Sequence, residues 1–319
     1  MLKRKVVFME LLNALFRSEL KGKLNPAAVK ELANIHYWGV SVIPVLLGSA
    51  LAFTVGGHFD LLVFLLLLPA AVLMHCVVNA YNHLFDYLRG TDGEENRDNR
   101  RYPILYYGIH PLYVFFLGIF YLFLALLLSL YVVYTAGWPL LVIGMIGAVV
   151  AVTYSGGPFP LSHYPLGEIA SGFTMGGLIP FAVFFGMTAD LDFRILLFAL
   201  PMILTIGLVC YVNNICDIEK DRVNRRTLPI LIGRERASKS FRAAYALTWL
   251  CAFVLLAVFF PKGCWVPLIG FLLCVKKLRR LAKLEYTPET RHEVMPLFGS
   301  LIPFLNVSYL IGILIHGLL

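Results

Sequence analysis

Nine apolar segments, most of them about twenty residues long, follow one another through this chain and leave little room for any other architecture. They fall at about 37–56, 61–83, 111–134, 138–154, 166–187, 194–215, 241–260, 264–275 and 296–317, the eighth being the shortest. A helix needs roughly 20 such residues to cross a bilayer. Inside hydrocarbon the backbone must satisfy its own polar groups, which a continuous helix does. Composition agrees: 59% of the 319 residues are hydrophobic and 14% are charged, against roughly 25% charged in a soluble chain. The expected fold is all-α, a polytopic membrane protein of about nine transmembrane helices surrounding a central cavity. No linker, low-complexity tract or second composition regime interrupts it, so residues 1–319 read as one transmembrane domain. Within it, 1–32 form a basic, amphipathic cytoplasmic segment that lies at the interface, because Glu10 and Arg17 break up any signal-peptide core.

Basic residues give the orientation. Of the 27 Lys and Arg residues, all but Arg194 and Lys262 fall in the N-terminal segment or in the loops after the second, sixth and eighth segments. Cytoplasmic loops collect such charge. The N-terminus and these loops are therefore expected in the cytoplasm of a prokaryotic cell membrane, with the C-terminus outside. The net charge of +8 is accounted for by topology, and no nucleic-acid partner is expected. The six cysteines show neither zinc spacing nor a secreted disulfide pattern.

Two of the apolar segments end in knots of Asn and Asp. Asn79, Asn82 and Asp86 are spaced three and four apart, and so are Asn213, Asp217 and Asp221, with Asn214 beside them. On a helix each set shares one face. Asp92 follows beyond Gly90, where the helix is expected to break. Caps and solvated loops also use Asn and Asp, but acids at the edge of hydrocarbon are costly and usually face a functional cavity. Oxygen-rich clusters suit Mg²⁺. Arg222, Arg225 and Arg226 stand beside the second cluster, with cations available to phosphate oxygens. The topology puts a third element on the same face. Its Gly- and Pro-dense loop runs from Tyr154 through Gly156, Gly157 and Pro158 to Leu166, Gly167 and Glu168. Glu168 reads equally as a first-turn acid and as a pocket contact.

These residues resemble the UbiA superfamily of intramembrane prenyltransferases, most closely its 1,4-dihydroxy-2-naphthoate polyprenyltransferase branch. The first family motif maps onto Asn79, Asn82, His83, Asp86, Gly90 and Asp92. The second maps onto Asn213, Asn214, Asp217, Asp221, Asn224, Thr227 and Leu228, with Gly233 and Arg234 downstream. The Tyr-x-Gly-Gly-Pro and Leu-Gly-Glu elements match Tyr154, Gly156, Gly157, Pro158, Leu166, Gly167 and Glu168. The pattern extends over about 33–318. Two positions depart from it: His83 replaces a motif Asp, and His36-Tyr37-Trp38-Gly39 stand where the family has Arg-Pro.

The resemblance implies Mg²⁺-dependent transfer of a prenyl group from a prenyl diphosphate to an aromatic acceptor, 1,4-dihydroxy-2-naphthoate in menaquinone biosynthesis. Asp86 and Asp92 would hold one metal ion, and Asp217 and Asp221 another. Asp86, Asp217, Asp221 and Tyr154 would be catalytic. Asn79, Asn82, His83, Asn213, Asn214, Glu168, Arg222 and Arg226 would bind substrate. Two other readings stand beside this one. A relative could use another acceptor or cyclise a terpene, and a transporter or scaffold could merely line a cavity with these acids.

Overall fold

Where the sequence permits helix and where it stops it decide the elements. In the computed structural model, which describes residues 10–93 and 97–319, each of the nine apolar segments is helical. A short α1 (Pro26–Ala33) precedes α2 (Gly39–Thr54), α3 (Leu61–Leu88), α4 (Pro111–Ala136) and α5 (Pro139–Thr153). Then come α6 (Gly167–Thr188, wound as π-helix over Gly172–Leu178), α7 (Leu200–Cys216), α8 (Arg234–Phe259), α9 (Val266–Lys283) and α10 (Arg291–Leu318). Asn25 caps α1 by accepting from the Ala28 N–H at 2.8 Å, and Asp60 caps α3 by accepting from Val63 at 3.0 Å. Proline opens α1, α4 and α5, where its missing N–H has no helical partner to lose. Just beyond α3, Gly90 takes a φ of +67°, a left-handed turn that glycine adopts without steric cost.

Length and apolarity qualify five of these helices as spans on their own: α3, α4, α6, α8 and α10. A sixth arises if the α1 and α2 segments, bent by 52°, are taken as one. Helices α5 and α7 are apolar but shorter, and α9 carries Lys276, Lys277, Arg279, Arg280 and Lys283 over its last turns. The expected figure of nine thus counts helical segments among the described residues, not nine full-length spans.

Successive helices from α2 to α10 alternate in direction. At one end, Arg225 reaches Asp86 and Arg291 reaches Asp217. At the other, Thr54 Oγ1 donates to Ile313 O at 3.3 Å, and Phe260 and His316 stack edge to face at 5.6 Å. The described loop residues 89–93, 97–110, 154–166, 217–233 and 284–290 therefore gather at one end of the bundle.

Packing divides into two apolar clusters. The larger joins α2, α6, α7, α8 and α10 through residues such as Leu51, Phe184, Met202, Phe241 and Tyr309. The smaller joins α1, α3 and α4 through Leu32, Val77, Leu84 and Val114. Gly118 lets α4 lie against the Tyr81 ring on α3, because a Cβ there would overlap it. Outward, Phe116, Phe120, Phe123, Leu127 and Leu130 of α4 form one exposed stripe at helical spacing. Water would not tolerate an apolar band of that length, whereas a bilayer matches it. Within the N-terminal segment, residues 1–9, including Lys3, Arg4 and Lys5, lie outside the described residues. Residues 10–16 are helical and bury Leu11 and Leu15, and Ser18 Oγ lies 3.0 Å from the Tyr87 hydroxyl at the end of α3.

Candidate active site

Between the helices lies a cavity of about 850 Å³ with a polar neck and an apolar body. The neck is built from helix ends. The last turns of α3 bring Asn79, Asn82, His83 and Asp86 to its wall, and the turn after Gly90 adds Asp92. From the facing side come Asn213, Asn214 and Asp217 at the end of α7 and Asp221 from the short helix Ile218–Asp221. Tyr154, at the end of α5, completes the wall with its hydroxyl 3.4 Å from Cys210 Sγ. The two sequence clusters, more than a hundred residues apart, thus face one space.

Arginines bind the carboxylates together. Arg225 reaches Asp86 Oδ1 at 3.1 Å with one guanidinium nitrogen and Asp221 Oδ2 at 3.6 Å with the other. Arg291, from the first turn of α10, donates to Asp217 at 3.1 Å and to Asn213 Oδ1 at 2.6 Å. Both arginines line the cavity, as does Lys220, whose ammonium sits 5.4 Å from the Tyr102 ring centroid. Arg222 and Arg226 are exposed and absent from the lining. The Arg226 N–H instead donates to His163 O at 2.7 Å, joining the Gly-Pro loop to the second cluster. Spacing contained the signal that selects among the three arginines: Asp221 and Arg225 are four apart and share a helical face. For Arg291 local sequence offered no signal, because its partners lie on α7.

Other expected residues are placed as follows. Glu168 stands behind the cavity wall, buried, accepting from Asn214 Nδ2 at 2.9 Å through Oε1, while its Oε2 has no hydrogen-bond partner. Asn82 Oδ1 accepts from Ser155 Oγ, and Asn79 Nδ2 donates to Ala33 O at 3.1 Å. His83 lines the cavity one turn from Asn79. Burial drives the Asp92 carboxyl up to about 7; the charge on Asp86 adds to the rise, while Lys220 and Arg225 oppose it. Burial likewise raises Asp221, opposed first by Arg225.

Among the described residues no three His, Cys, Asp or Glu side chains gather closely enough to ligate one ion. The donor set nevertheless suits a hard divalent cation: carboxylate and amide oxygens at one neck, with Asp221 Oδ2 buried and accepting no hydrogen bond. Asp86 and Asp92 would hold one such ion and Asp217 and Asp221 another, once Arg225 and Arg291 release Asp86, Asp221 and Asp217.

The bundle is all-α, and its oxygen-rich, arginine-bridged neck opens into an apolar chamber. The chain matches the UbiA prenyltransferase family over residues 41–302 and belongs to it. It is a prenyltransferase of the membrane. It is 32% identical to the 1,4-dihydroxy-2-naphthoate octaprenyltransferase of Bacillus subtilis (strain 168) over 222 residues, covering 69% of this chain and 70% of that one. It is 29% identical to the UbiA prenyltransferase domain-containing protein 1 of Xenopus tropicalis, covering 61% of this chain and 57% of the relative. A UbiA homolog from Archaeoglobus fulgidus, solved bound to GPP and Mg²⁺, has the same fold, with a TM-score of 0.62 at 16% identity over 90% of this chain and 99% of the other.

Proposed function

We propose that this enzyme transfers a prenyl group from a prenyl diphosphate to 1,4-dihydroxy-2-naphthoate. The observation that carries this reading is the union, in one cavity, of a cationic, oxygen-rich neck with a long apolar body. A diphosphate headed by an isoprenoid tail has that same polarity. The Bacillus relative acts on the same acceptor by its name, and the naphthoquinone phytyltransferase of Synechocystis, 22% identical, uses a related ring.

The chain's own residues divide the work. Arg225 and Arg291 exchange their carboxylate partners for diphosphate oxygens, freeing Asp86, Asp221 and Asp217. Asn82, fixed by Ser155, and Asn213 orient the headgroup. Glu168 holds Asn214 from behind. Apolar walls exclude water from the prenyl carbon while its bond to diphosphate oxygen breaks, and Tyr154 presents an aromatic ring at that level. The diphosphate departs with the electron pair of that bond, the ring carbon that carries the carboxylate bonds the prenyl carbon, and loss of the carboxylate as CO₂ returns its electron pair to the ring. Magnesium ions, one held by Asp86 and Asp92 and another by Asp217 and Asp221, would supply Lewis-acid neutralisation of the leaving diphosphate. One transmembrane domain carries the reaction, with its neck at the cytoplasmic face.

The test is an assay of membranes containing the protein, given dihydroxynaphthoate and prenyl diphosphates of several lengths, with products weighed and pyrophosphate counted. Chelation by EDTA should stop both, and added Mg²⁺ should restore them. Pyrophosphate release without a prenylated naphthoate product would overturn the acceptor assignment.

A further inference from the structure

The cavity is lined by α4 and α5 in one part and by the α1–α2 bend and α3 in another, and the side chains of the two parts differ. The flank between α4 and α5 is lined by Leu122, Ala125, Leu126, Gly144 and Gly147, with Ser129 as its polar side chain. Such a surface suits an isoprenoid. The part at the bend between α1 and α2 carries Asn34, Tyr37, Ser41 and His75 beside the apolar Val40 and Met74. These polar groups have no use for a prenyl chain.

His75 is the centre of this second flank. It lies on the same α3 face as Asn79, one turn away, and Asp86 is eleven positions further on, about 16 Å by helical rise. That places it past the diphosphate and inside the body of the cavity. Its side chain is buried, at 8% exposure, and its Nδ1 is 2.9 Å from the hydroxyl of Ser41, which is wholly buried. This contact ties one ring nitrogen to α2, and among the described residues Nε2 makes no hydrogen bond to protein, on a ring that lines the cavity. An imidazole nitrogen can donate or accept there, according to the tautomer. A cavity-lining imidazole with one nitrogen still available can hydrogen-bond a bound molecule.

We infer that His75, positioned by Ser41 on the α2 flank, binds a ring hydroxyl of the aromatic acceptor, while the prenyl chain occupies the α4–α5 flank. This assignment deepens the proposed function and rests on it. With Nε2 accepting from the hydroxyl, the ring is held facing the prenyl carbon and electron density on it rises as the O–H polarises. No proton need leave the cavity for binding. Ser41 acts through His75 and is a positioning residue.

Steady-state kinetics of the full chain in membranes test the assignment, with dihydroxynaphthoate and a prenyl diphosphate varied separately. His75→Ala should raise the acceptor KM about tenfold, the scale of one buried hydrogen bond, and leave the prenyl diphosphate KM within about twofold. Ser41→Ala should raise the acceptor KM by a smaller factor, because the ring stays but is no longer held. His75→Gln, whose amide can reach a similar position, should recover part of the loss, and it carries the test if His75→Ala does not fold. Equal rises in both KM values, or an unchanged acceptor KM in His75→Ala and His75→Gln, would overturn the inference. A wild-type enzyme that prenylates no aromatic acceptor would instead remove the proposed function, and this assignment with it.

Discussion

Arg225 shows how a single residue's register can decide a site. Three arginines follow the second Asp cluster; the sequence offered all of them to phosphate, and the substrate-binding set implied by the resemblance took Arg222 and Arg226. In the folded chain both are exposed, and Arg225 bridges Asp86 and Asp221 across the cavity neck. A charge-assisted hydrogen bond contributes about 1.5–3 kcal/mol. Arg225→Ala should therefore lower kcat/KM for prenyl diphosphate at least about tenfold, while Arg222→Ala and Arg226→Ala remain within a few-fold of wild type. A steeper loss in Arg226→Ala than in Arg225→Ala would reverse the assignment. Glu168 gives a second contrast. It supports Asn214 from a buried position, so Glu168→Leu would leave the Asn214 amide unpaired, at about 1–3 kcal/mol, and Glu168→Gln would keep an acceptor. Turnover and the unfolding temperature should both fall further in the leucine variant. The carboxylates and amides of both clusters were legible because helical spacing aligned them. Arg291, Ser155 and His75 were not, since each acquires its meaning from a helix distant in sequence.

Helices decide what the cavity admits. Position and type of all nine apolar segments were readable from hydropathy, but the break at Ala199 that shortens α7, the π-helical stretch of α6 and the 52° bend before α2 were not. Those features depend on neighbours: α7 packs against the π-helical turn, and the bend brings Asn34, Tyr37 and Ser41 to the cavity. On α5, Gly144 and Gly147 line the prenyl flank, and a Cβ at either would meet no atom within 4 Å. Small side chains there leave volume for the isoprenoid. Gly147→Phe should consequently fill part of the flank and shift product toward shorter prenyl chains, with little loss of turnover on the shortest diphosphates. Mass spectra of products from a mixture of chain lengths would show it. An unchanged product distribution, with the protein folded, would mean that the prenyl chain runs elsewhere.

For the whole molecule, charge and site coincide. The bundle end that holds Asp86, Asp92, Asp217 and Asp221 also carries the first turns of α8 and α10 and the last turns of α9, with Arg234, Arg236, Lys239, Arg279, Arg280, Lys283 and Arg291. Arg194 and Lys262, the two cations that the sequence separated from the rest, fall at the opposite end, next to α6 and α10 respectively. There Tyr134, Trp138 and Trp265 are exposed, as aromatic residues at a headgroup boundary are. Positive charge is retained on the cytoplasmic side during insertion, so the whole bundle should be oriented with the cavity neck inward. Single cysteines placed at Thr91, Asn224, Asp190 and Lys262 in a cysteine-free background, treated with a membrane-impermeant maleimide, report this directly. Asp190→Cys and Lys262→Cys should label in intact cells, and Thr91→Cys and Asn224→Cys only after permeabilisation. The reverse pattern would invert the protein in the membrane and leave the site intact. Labelling of Thr91→Cys and Asn224→Cys from different sides would separate the two aspartate clusters, and no single neck could then hold a diphosphate.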